Sequence, residues 1–338
     1  MVSHLTPAGM AGRTLVIQIP CHNEEEILPR VLADLPTSLP GIARIITLVI
    51  DDGSTDRTVE IARAHGAEVV RLPVNRGLAR AFLVGLDRAV RLGADVVVNT
   101  DGDHQYRGED IAKLVAPVLD GRADLVVGAR PVGAIETFSP VKKLLQRLGS
   151  WATRVASGTT VEDAPSGFRA MSREAAMRLH VFNRYTYTVE TIIQAGRKGM
   201  RVLSVLVGVN PYTRPSRLVK GSGSYVARQL NVMVRVFMTY KPFRFFAVPG
   251  VVLGSLGSVL LARFLWYYVT EGGAGHIQSV IIGALLAGAG LFLVVIGLLA
   301  DLIAVNRQLL EDVEWRIRRM EDARQPSDGS PAAGANRG

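Results

Sequence analysis

Short valine- and isoleucine-rich segments recur through about the first 210 residues, each followed by an amphipathic stretch. The segments read "TLVIQIP", "RIITLVID", "AEVVRLP", "ADVVVNTD" and "ADLVVGAR". The amphipathic stretches are Glu24–Leu35, Asp56–Ala64, Leu78–Arg91 and Gly108–Leu119. A strand that is apolar along its length, rather than at alternate positions, is buried on both faces. Such strands alternating with helices point to βαβ units, a mostly parallel sheet with helices on both faces.

In such sheets ligands bind beyond the carboxyl ends of the strands. The polar residues at those ends are therefore the informative ones. The first segment ends in "PCHNEEE" from Pro20 to Glu26, and the second in "DDGSTDRT" from Asp51 to Thr58. The fourth ends in "DGDHQ" from Asp101 to Gln105, and the fifth in "GAR" from Gly128 to Arg130. The first turn has no Gly-x-Gly-x-x-Gly, which disfavours a dinucleotide site, and no Gly-x-x-x-x-Gly-Lys-Ser/Thr occurs, which excludes a P-loop. Asp51 to Asp56 reads as a turn in which Ser54 or Thr55 caps the next helix. Capping needs one polar side chain, however, and leaves Asp51 and Asp52 unexplained. Asn23 is likewise a candidate cap. Cys21 and His22 are neighbours on a strand and point to opposite faces, so they make no thiol–imidazole pair. Asp101 and Asp103 stand where a strand turns into a loop and can converge on a hard divalent cation. A cation there would bridge diphosphate oxygens and offset charge on a leaving group.

A chain of 338 residues exceeds the needs of one compact core. Its mean hydropathy of +0.23 is high for a soluble protein, and the apolar excess lies late. No charge occurs from Phe245 to Ala262 or from Ile277 to Ala300. As helices these runs reach roughly 27–36 Å, enough to cross the hydrocarbon of a bilayer; the alternative is a buried hairpin in a soluble protein. Lys241 and Arg244 precede the first run, Arg307, Arg316, Arg318 and Arg319 follow the second, and the connector "TEGGAGH" has neither lysine nor arginine. By the positive-inside rule both ends face the cytoplasm. Arg263 can snorkel beside Trp266, Tyr267 and Tyr268 at the other end. Leu230, Met233, Val234 and Phe237 share one helical face. That stretch is either an interfacial helix on the cytoplasmic leaflet or an ordinary core-packing helix. The expected plan is a disordered start over 1–12, an α/β domain over 13–222, the amphipathic helix over 223–244, a membrane hairpin over 245–306 with spans near 245–269 and 277–303, and a basic helix with a disordered tail over 307–338.

The net charge of +9 suits anionic lipid or phosphorylated substrates. Aromatics are only 6% of the chain and do not interleave with basic residues, which argues against nucleic acid. A single cysteine, Cys21, excludes an intramolecular disulfide and fits a cytosolic catalytic part. The first dozen residues lack the basic start and apolar stretch of a signal peptide.

Taken together, "PCHNEE", "DDGSTDRT", "NRGLARA", "DGDHQ", "VVGAR" and "DAPSGFR" resemble, in order and spacing, the GT-A fold family 2 glycosyltransferases. More narrowly they resemble the polyprenyl-phosphate (dolichyl-phosphate) sugar synthases. The resemblance covers roughly residues 13 to 245 and extends to the paired C-terminal membrane helices of some bacterial members. It implies a GT-A nucleotide-sugar domain, and it implies roles. Pro20, His22, Glu24 and Asp52 match residues that hold the base and ribose of the sugar nucleotide; many relatives carry tyrosine where this chain has His22. Asp101 and Asp103 match the metal-binding pair, with Gln105 often joining them, and the metal would be Mg²⁺ or Mn²⁺. Gly102, between the two acids, stands where relatives often have alanine and belongs to the nucleotide-sugar site. Arg130 and Arg169 match arginines near donor or acceptor phosphates, where a planar fork suits phosphate oxygens. "NPYTRPSRLVKG" matches a basic loop over the nucleotide diphosphate, with Arg214 and Arg217 as its contacts. Asp163 matches the acid that acts as base or orients the acceptor. A lipid phosphate, with a second pKa of about 6, is already largely dianionic at neutral pH, so Asp163 is read as an orienting group with modest base character. Glu190 is also shared with relatives.

The implied reaction moves a hexose from a nucleotide sugar, of GDP-mannose or UDP-glucose type, to polyprenyl phosphate, inverting the anomeric carbon. The implied setting is the cytoplasmic face of the inner (plasma) membrane, with membrane lipid as a partner and a homo-oligomer compatible with the plan. Two other functions compete. A processive polysaccharide synthase would show more spans and a Gln-x-x-Arg-Trp motif, which neither Trp151 nor Trp315 belongs to. A non-catalytic nucleotide-sugar-binding membrane protein would not need every polar strand end.

Overall fold

A computed structural model describes residues 12–131, 140–179, 181, 187–210, 231, 234–272 and 277–324. Seven strands form one sheet: β1 Thr14–Cys21, β2 Arg44–Asp51, β3 Glu68–Arg71, β4 Val96–Asn99, β5 Leu125–Ala129, β6 Arg169–Ser172 and β7 Val202–Leu206. Their order is β3-β2-β1-β4-β6-β5-β7. Pairing is parallel throughout except where β6 meets β4 and β5. The five expected segments are β1 to β5. From Leu15 to Cys21 every residue of β1 is buried, Gln18 included, as a strand covered on both faces requires.

The helices of this part are α1 Leu28–Asp34, α2 Thr58–Ala64, α3 Leu78–Arg91, α4 Ile111–Leu119, α5 Pro140–Ser157, α6 Arg173–Arg178 and α7 Tyr187–Arg197. Helix α1 starts later than the apolar periodicity suggested. Glu24 to Ile27 form a turn whose Glu24 carbonyl accepts from the Ile27 and Leu28 amides, and Pro29 suits the first helical turn. The amphipathic α3 buries Ala81, Phe82, Leu86 and Ala89 against the sheet. One core cluster joins Leu15, Ile17, Val96 and Val98 to Ile111, Leu114 and Phe168. A second joins Ile19, Cys21 and Val49 to Leu28, Val31 and Ala62.

The chain divides into two compact units, Met1–Gln229 with Glu314–Gly338, and Leu230–Val313. The second unit contains α8 Pro242–Glu271 and most of α9 Ile277–Arg324. Both are long and apolar enough to cross a membrane: the most apolar 18 residues within Pro242–Glu271 and within Ile277–Ile317 have mean hydropathies of 2.0 and 2.7. They approach closely where side chains vanish. A Cβ on Gly257 would lie 2.5 Å from the Ala287 amide nitrogen, and one on Gly250 would lie 2.8 Å from the Gly290 carbonyl. Small residues at such contacts let backbones meet when lipid supplies no hydrophobic drive. Of the expected amphipathic helix over 223–244, residues 231 and 234–240 are helical, and 242–244 belong to the start of α8. Val234 is exposed while Val236 and Tyr240 are buried, so the face through Val234 is not packed in the core. Leu230 and Met233 lie outside the described residues, as do the expected disordered N-terminus to residue 11 and the tail from 325.

Candidate active site

At the ends of β1 and β2 the acids and hydroxyls tie two loops together. The Asp52 amide donates to the Cys21 carbonyl at 2.8 Å, and His22 Nδ1 lies 2.9 Å from the Asp52 carbonyl oxygen. Asn23 adopts a left-handed φ of 55°. Its amide donates to Ser54 Oγ, and its Oδ1 accepts from the Thr55 amide, both at 2.9 Å. Asn23 therefore links loops rather than capping a helix. Thr58 Oγ1 takes the Glu24 amide at 2.9 Å. Asp51 is fully buried beside Arg71 and accepts the Ser54 amide at 3.0 Å. The two Asp52 oxygens accept the amides of Arg76 and Gly77 at 2.7 and 2.8 Å. The "NRG" turn is thus held by Asp52. Pro20 is buried at the end of β1, while His22 and Glu24 remain half-buried beside the cleft.

Strand β4 ends at Asn99, and Asp101 follows two residues later. The residue is half-buried, and its carboxylate lies so close to the 163–168 loop that a Cβ on Gly167 would stand 2.6 Å from each Asp101 oxygen. A side chain at Gly167 would therefore displace the Asp101 carboxylate. Burial, with the charge of Asp103 added, pushes Asp101 up to about 7, against the pull of Arg130 and Arg169. Gly102 is buried over Cys21 Sγ and the Pro20 carbonyl. Asp103 Oδ1 accepts the Gln105 amide at 3.1 Å, and His104 between them has a φ of 57°.

From the end of β5, Arg130 reaches Asp163 in a bidentate pair. Nε meets Oδ2 at 2.7 Å and Nη2 meets Oδ1 at 3.1 Å, while the Arg130 amide also donates to Oδ2 at 3.2 Å. Gln146 Nε2 from α5 donates to Oδ1 at 3.2 Å. Arg130 Nη1 extends to Gln105 Oε1 at 3.4 Å. Both partners are buried, with 9% and 1% of their side chains exposed. Burial works against the Arg130 charge, yet Tyr106 and Asp163 raise its pKa above the ordinary arginine value. Arg169 sits differently. It is fully buried, and its donors go to the Ser166 carbonyl, at 2.8 Å from Nε and 2.7 Å from Nη2, to the Ala164 carbonyl at 2.9 Å, and to Thr191 Oγ1. Burial pulls its pKa down to about 10. The resemblance implied a phosphate contact at Arg169; in the structure its guanidinium donates to the loop that carries Asp163 and to Thr191 of α7.

Residues 16–179 match glycosyl transferase family 2. A glycosyltransferase of Mycobacterium tuberculosis is 37% identical over 223 residues, covering 64% of this chain and 96% of that protein. The chain belongs to glycosyl transferase family 2. The dolichyl-phosphate hexose transferase of Haloferax volcanii is 34% identical to this family 2 enzyme over 197 residues, covering 56% of this chain and 80% of that protein. The undecaprenyl-phosphate mannosyltransferase of Micrococcus luteus is 29% identical, covering 57% and 82%. Among solved structures, glucosyl-3-phosphoglycerate synthase from M. tuberculosis, in complex with Mn²⁺, UDP and glucosyl-3-phosphoglycerate, superposes with a TM-score of 0.55. It is 26% identical and covers 68% of this chain and 80% of that one. The fold is thus that of the GT-A enzymes, and the chain is a glycosyltransferase.

The chemistry around Asp101 in this glycosyltransferase fits a divalent cation. Asp101 and Asp103 carry like charges, and among the described residues nothing donates a hydrogen bond to the Asp101 carboxylate. Among those residues no three His, Cys, Asp or Glu side chains converge on one point. A cation held by Asp101 and Asp103 would therefore complete its shell with diphosphate oxygens and water, as Mg²⁺ characteristically does.

Several residues at the site carried no expectation. Gln146 and Ser150 come from α5; Ser150 Oγ accepts the Ala164 amide at 3.2 Å. Tyr106 takes the Gly167 amide on its hydroxyl at 3.2 Å and stacks on Phe168, with ring centroids 4.8 Å apart. Burial pushes that hydroxyl up to about 12, so it stays protonated. Asn99 donates to the Gly167 carbonyl at 2.8 Å and accepts from Gln18 at 2.9 Å. Gln18 inside an otherwise apolar strand was the one legible sign of this network. Glu190 is buried in α7. Arg214 and Arg217 lie outside the described residues.

Proposed function

We propose that this enzyme transfers a hexose from a nucleotide sugar, of GDP-mannose or UDP-glucose type, to the phosphate of a polyprenyl phosphate, with inversion at the anomeric carbon. The reaction takes place at the cytoplasmic face of the membrane in which α8 and α9 are anchored, with both termini on that side. The observation that carries this reading is the Arg130–Asp163 pair, set beside Asp101, Asp103 and Gln105 at the carboxyl edge of the sheet. It couples a cation aimed at acceptor oxygens to the acids suited to the donor diphosphate. The relatives' names, dolichyl-phosphate hexose transferase and undecaprenyl-phosphate mannosyltransferase, support the acceptor class. The apolar helices suit an enzyme whose acceptor does not leave the bilayer.

The residues divide the work. Asp101 and Asp103 would hold Mg²⁺ or Mn²⁺, which when bound would supply positive charge to the leaving diphosphate. Pro20, His22, Glu24, Asp52 and Gly102 shape the nucleotide side of the cleft. Arg130 orients the acceptor phosphate, and Asp163 orients Arg130. Each Asp163 oxygen already accepts two hydrogen bonds, which leaves little room for proton transfer from substrate. The acceptor phosphate is its own nucleophile at neutral pH, and positioning with charge screening is what it needs. Arg169 holds the loop that presents Asp163. The test is to incubate purified enzyme with undecaprenyl phosphate and a panel of UDP- and GDP-sugars, then to analyse the product by mass and anomeric configuration. A glycolipid of inverted configuration is expected. Hydrolysis of donor without glycolipid, or a retained configuration, would refute the proposal.

A further inference from the structure

After β7 the chain runs antiparallel beside the segment that carries Asp103 and Gln105. The Gly208 amide donates to Asp110 Oδ2 at 2.6 Å, Val209 forms an antiparallel bridge with Tyr106, and the Asn210 amide donates to the Gln105 carbonyl at 2.9 Å. The Asn210 side chain adds two bonds of its own. Its Nδ2 donates to the His104 carbonyl at 3.1 Å and to the Tyr106 carbonyl at 3.2 Å. A carboxamide nitrogen carries two hydrogens, so both bonds can form at once. One residue thus takes three consecutive carbonyls, those of 104, 105 and 106. Among the described residues the hydrogen bonds of its side chain go to this segment alone.

The peptide unit between His104 and Gln105 links Asn210 to the acid. Its carbonyl meets Asn210 Nδ2. Its N–H, on the opposite edge of the same planar unit, is the donor that Asp103 Oδ1 accepts at 3.1 Å. His104 has a left-handed φ of 57°, which a residue other than glycine adopts at a cost and keeps only where its surroundings dictate it. Without the side-chain amide of Asn210 the peptide is free to turn toward a relaxed φ, and the Gln105 N–H then leaves Asp103. We propose that Asn210 is a positioning residue for the divalent cation: it locks this peptide, and the peptide aims the Asp103 carboxylate. The proposal rests on the cation assigned above to Asp101 and Asp103 and deepens that reading. Groups that orient a metal's ligands without touching the metal commonly account for about tenfold or more of its affinity.

The test compares the full chain with Asn210→Ala and Asn210→Leu. Both keep the backbone N–H and remove the side-chain donors, and leucine also keeps the volume. Mn²⁺ binding is read by water-proton relaxation, which responds to cation on the slowly tumbling protein, in excess UDP and separately in excess GDP. With the nucleotide that supports binding to wild type, the Mn²⁺ dissociation constant should rise about tenfold in each variant that melts as wild type does. Turnover should divide in the same way: the Mg²⁺ needed for half-activation rises about tenfold, while saturating Mg²⁺ restores most of kcat and the acceptor KM does not move. An unchanged Mn²⁺ constant in a folded variant overturns the proposal. So does a loss of kcat that saturating Mg²⁺ does not restore, which is what a merely structural role would give. If wild type binds no Mn²⁺ with either nucleotide, the cation reading itself is refuted and the proposal falls with it. The Mn²⁺ arm needs no acceptor, so it decides the role of Asn210 whether or not polyprenyl phosphate is the substrate.

Discussion

Asp163→Asn separates an orienting carboxylate from a catalytic base, and the structure sets the scale of its effect. The carboxylate receives four donors: the Arg130 amide and Nε on Oδ2, and Arg130 Nη2 and Gln146 Nε2 on Oδ1. Asparagine can keep its oxygen at the Oδ2 position and retain the first two. Its Nδ2 then faces two donors. Gln146 can rotate its amide to present an oxygen, whereas the guanidinium has none to present. One charge-assisted bond is lost, worth about 1.5–3 kcal/mol, and the buried Arg130 loses its counter-charge. Breaking a buried pair outright costs about 3–5 kcal/mol. With the shape of the side chain kept, about 2–3 kcal/mol is expected, which lowers Tm by roughly 4–12 °C for a unit of this size.

Catalysis should suffer through Arg130. A displaced fork lowers kcat by about 10–100-fold and raises KM for the acceptor. Turnover survives because the phosphate brings its own charge. The acid limb of the rate profile follows the acceptor phosphate, near pH of about 6, and should persist in the variant. Initial rates from pH 5 to 9, measured beside thermal melts, test both parts. Two results would refute the reasoning: loss of activity as complete as in Asp103→Ala, or disappearance of the acid limb. Pairing Asp163→Asn with Arg130→Lys should give far less than the sum of the single losses, as expected of residues that act as one unit.

Activity should require Mg²⁺ or Mn²⁺, and Asp103→Ala should abolish turnover with the melt little changed; full activity in excess EDTA would be the contrary result. Burial opposes ionisation of Asp56, but the Thr58 hydroxyl and amide and the Glu25 amide outweigh it and hold its pKa below the ordinary carboxylate value. Its stabilisation is therefore present above pH of about 4 and lost as pH falls through the lowered value, so acid melts of Asp56→Asn should be shallower than those of wild type. In the hairpin, Gly257→Ala should lower the melt in detergent, because its Cβ would meet the Ala287 amide nitrogen at 2.5 Å. Gly254→Ala, with nothing within 4 Å, should raise it slightly through helix propensity, by about 0.5–1 kcal/mol. The same sign for both would deny the close packing.

Strands β1 to β5 were legible because their apolar runs are bounded by acids and turns, and α3 was placed to the residue because its burial pattern is periodic. Strands β6 and β7 were not. The four residues "RAMS" of β6 carry no run long enough to register, and β7 "VLSVL" is only partly buried. The acids Asp52, Asp101 and Asp103 could be found because polarity at a strand end is anomalous, whereas Asp163, in the loop before β6, was legible only through the resemblance. Gln146 and Ser150 could not, since a polar residue on an amphipathic helix looks like ordinary solvent exposure until the partner on the other side is known. The burial of Arg169 was not legible either: full burial of an arginine is rare, and the carbonyls of Ala164 and Ser166 make it tenable.

The antiparallel β6 explains how the two halves of the site meet. A purely parallel sheet would send the chain leaving β4 and the chain entering the next strand to opposite edges. Because β6 runs backwards between β4 and β5, its start lies beside the end of β4, with Arg169 in register with Asn99. The loop preceding β6 therefore arrives at the carboxyl edge, bringing Asp163 to Arg130 and Gly167 against Asp101. Arg169 is the first residue of that strand, and it turns back to grip the loop by two carbonyls. A lysine there has no planar fork with which to reach both. Arg169→Lys should accordingly loosen the loop and reduce kcat, while nucleotide-sugar binding by calorimetry stays near wild type. Weaker nucleotide binding would instead place its charge at the donor phosphates.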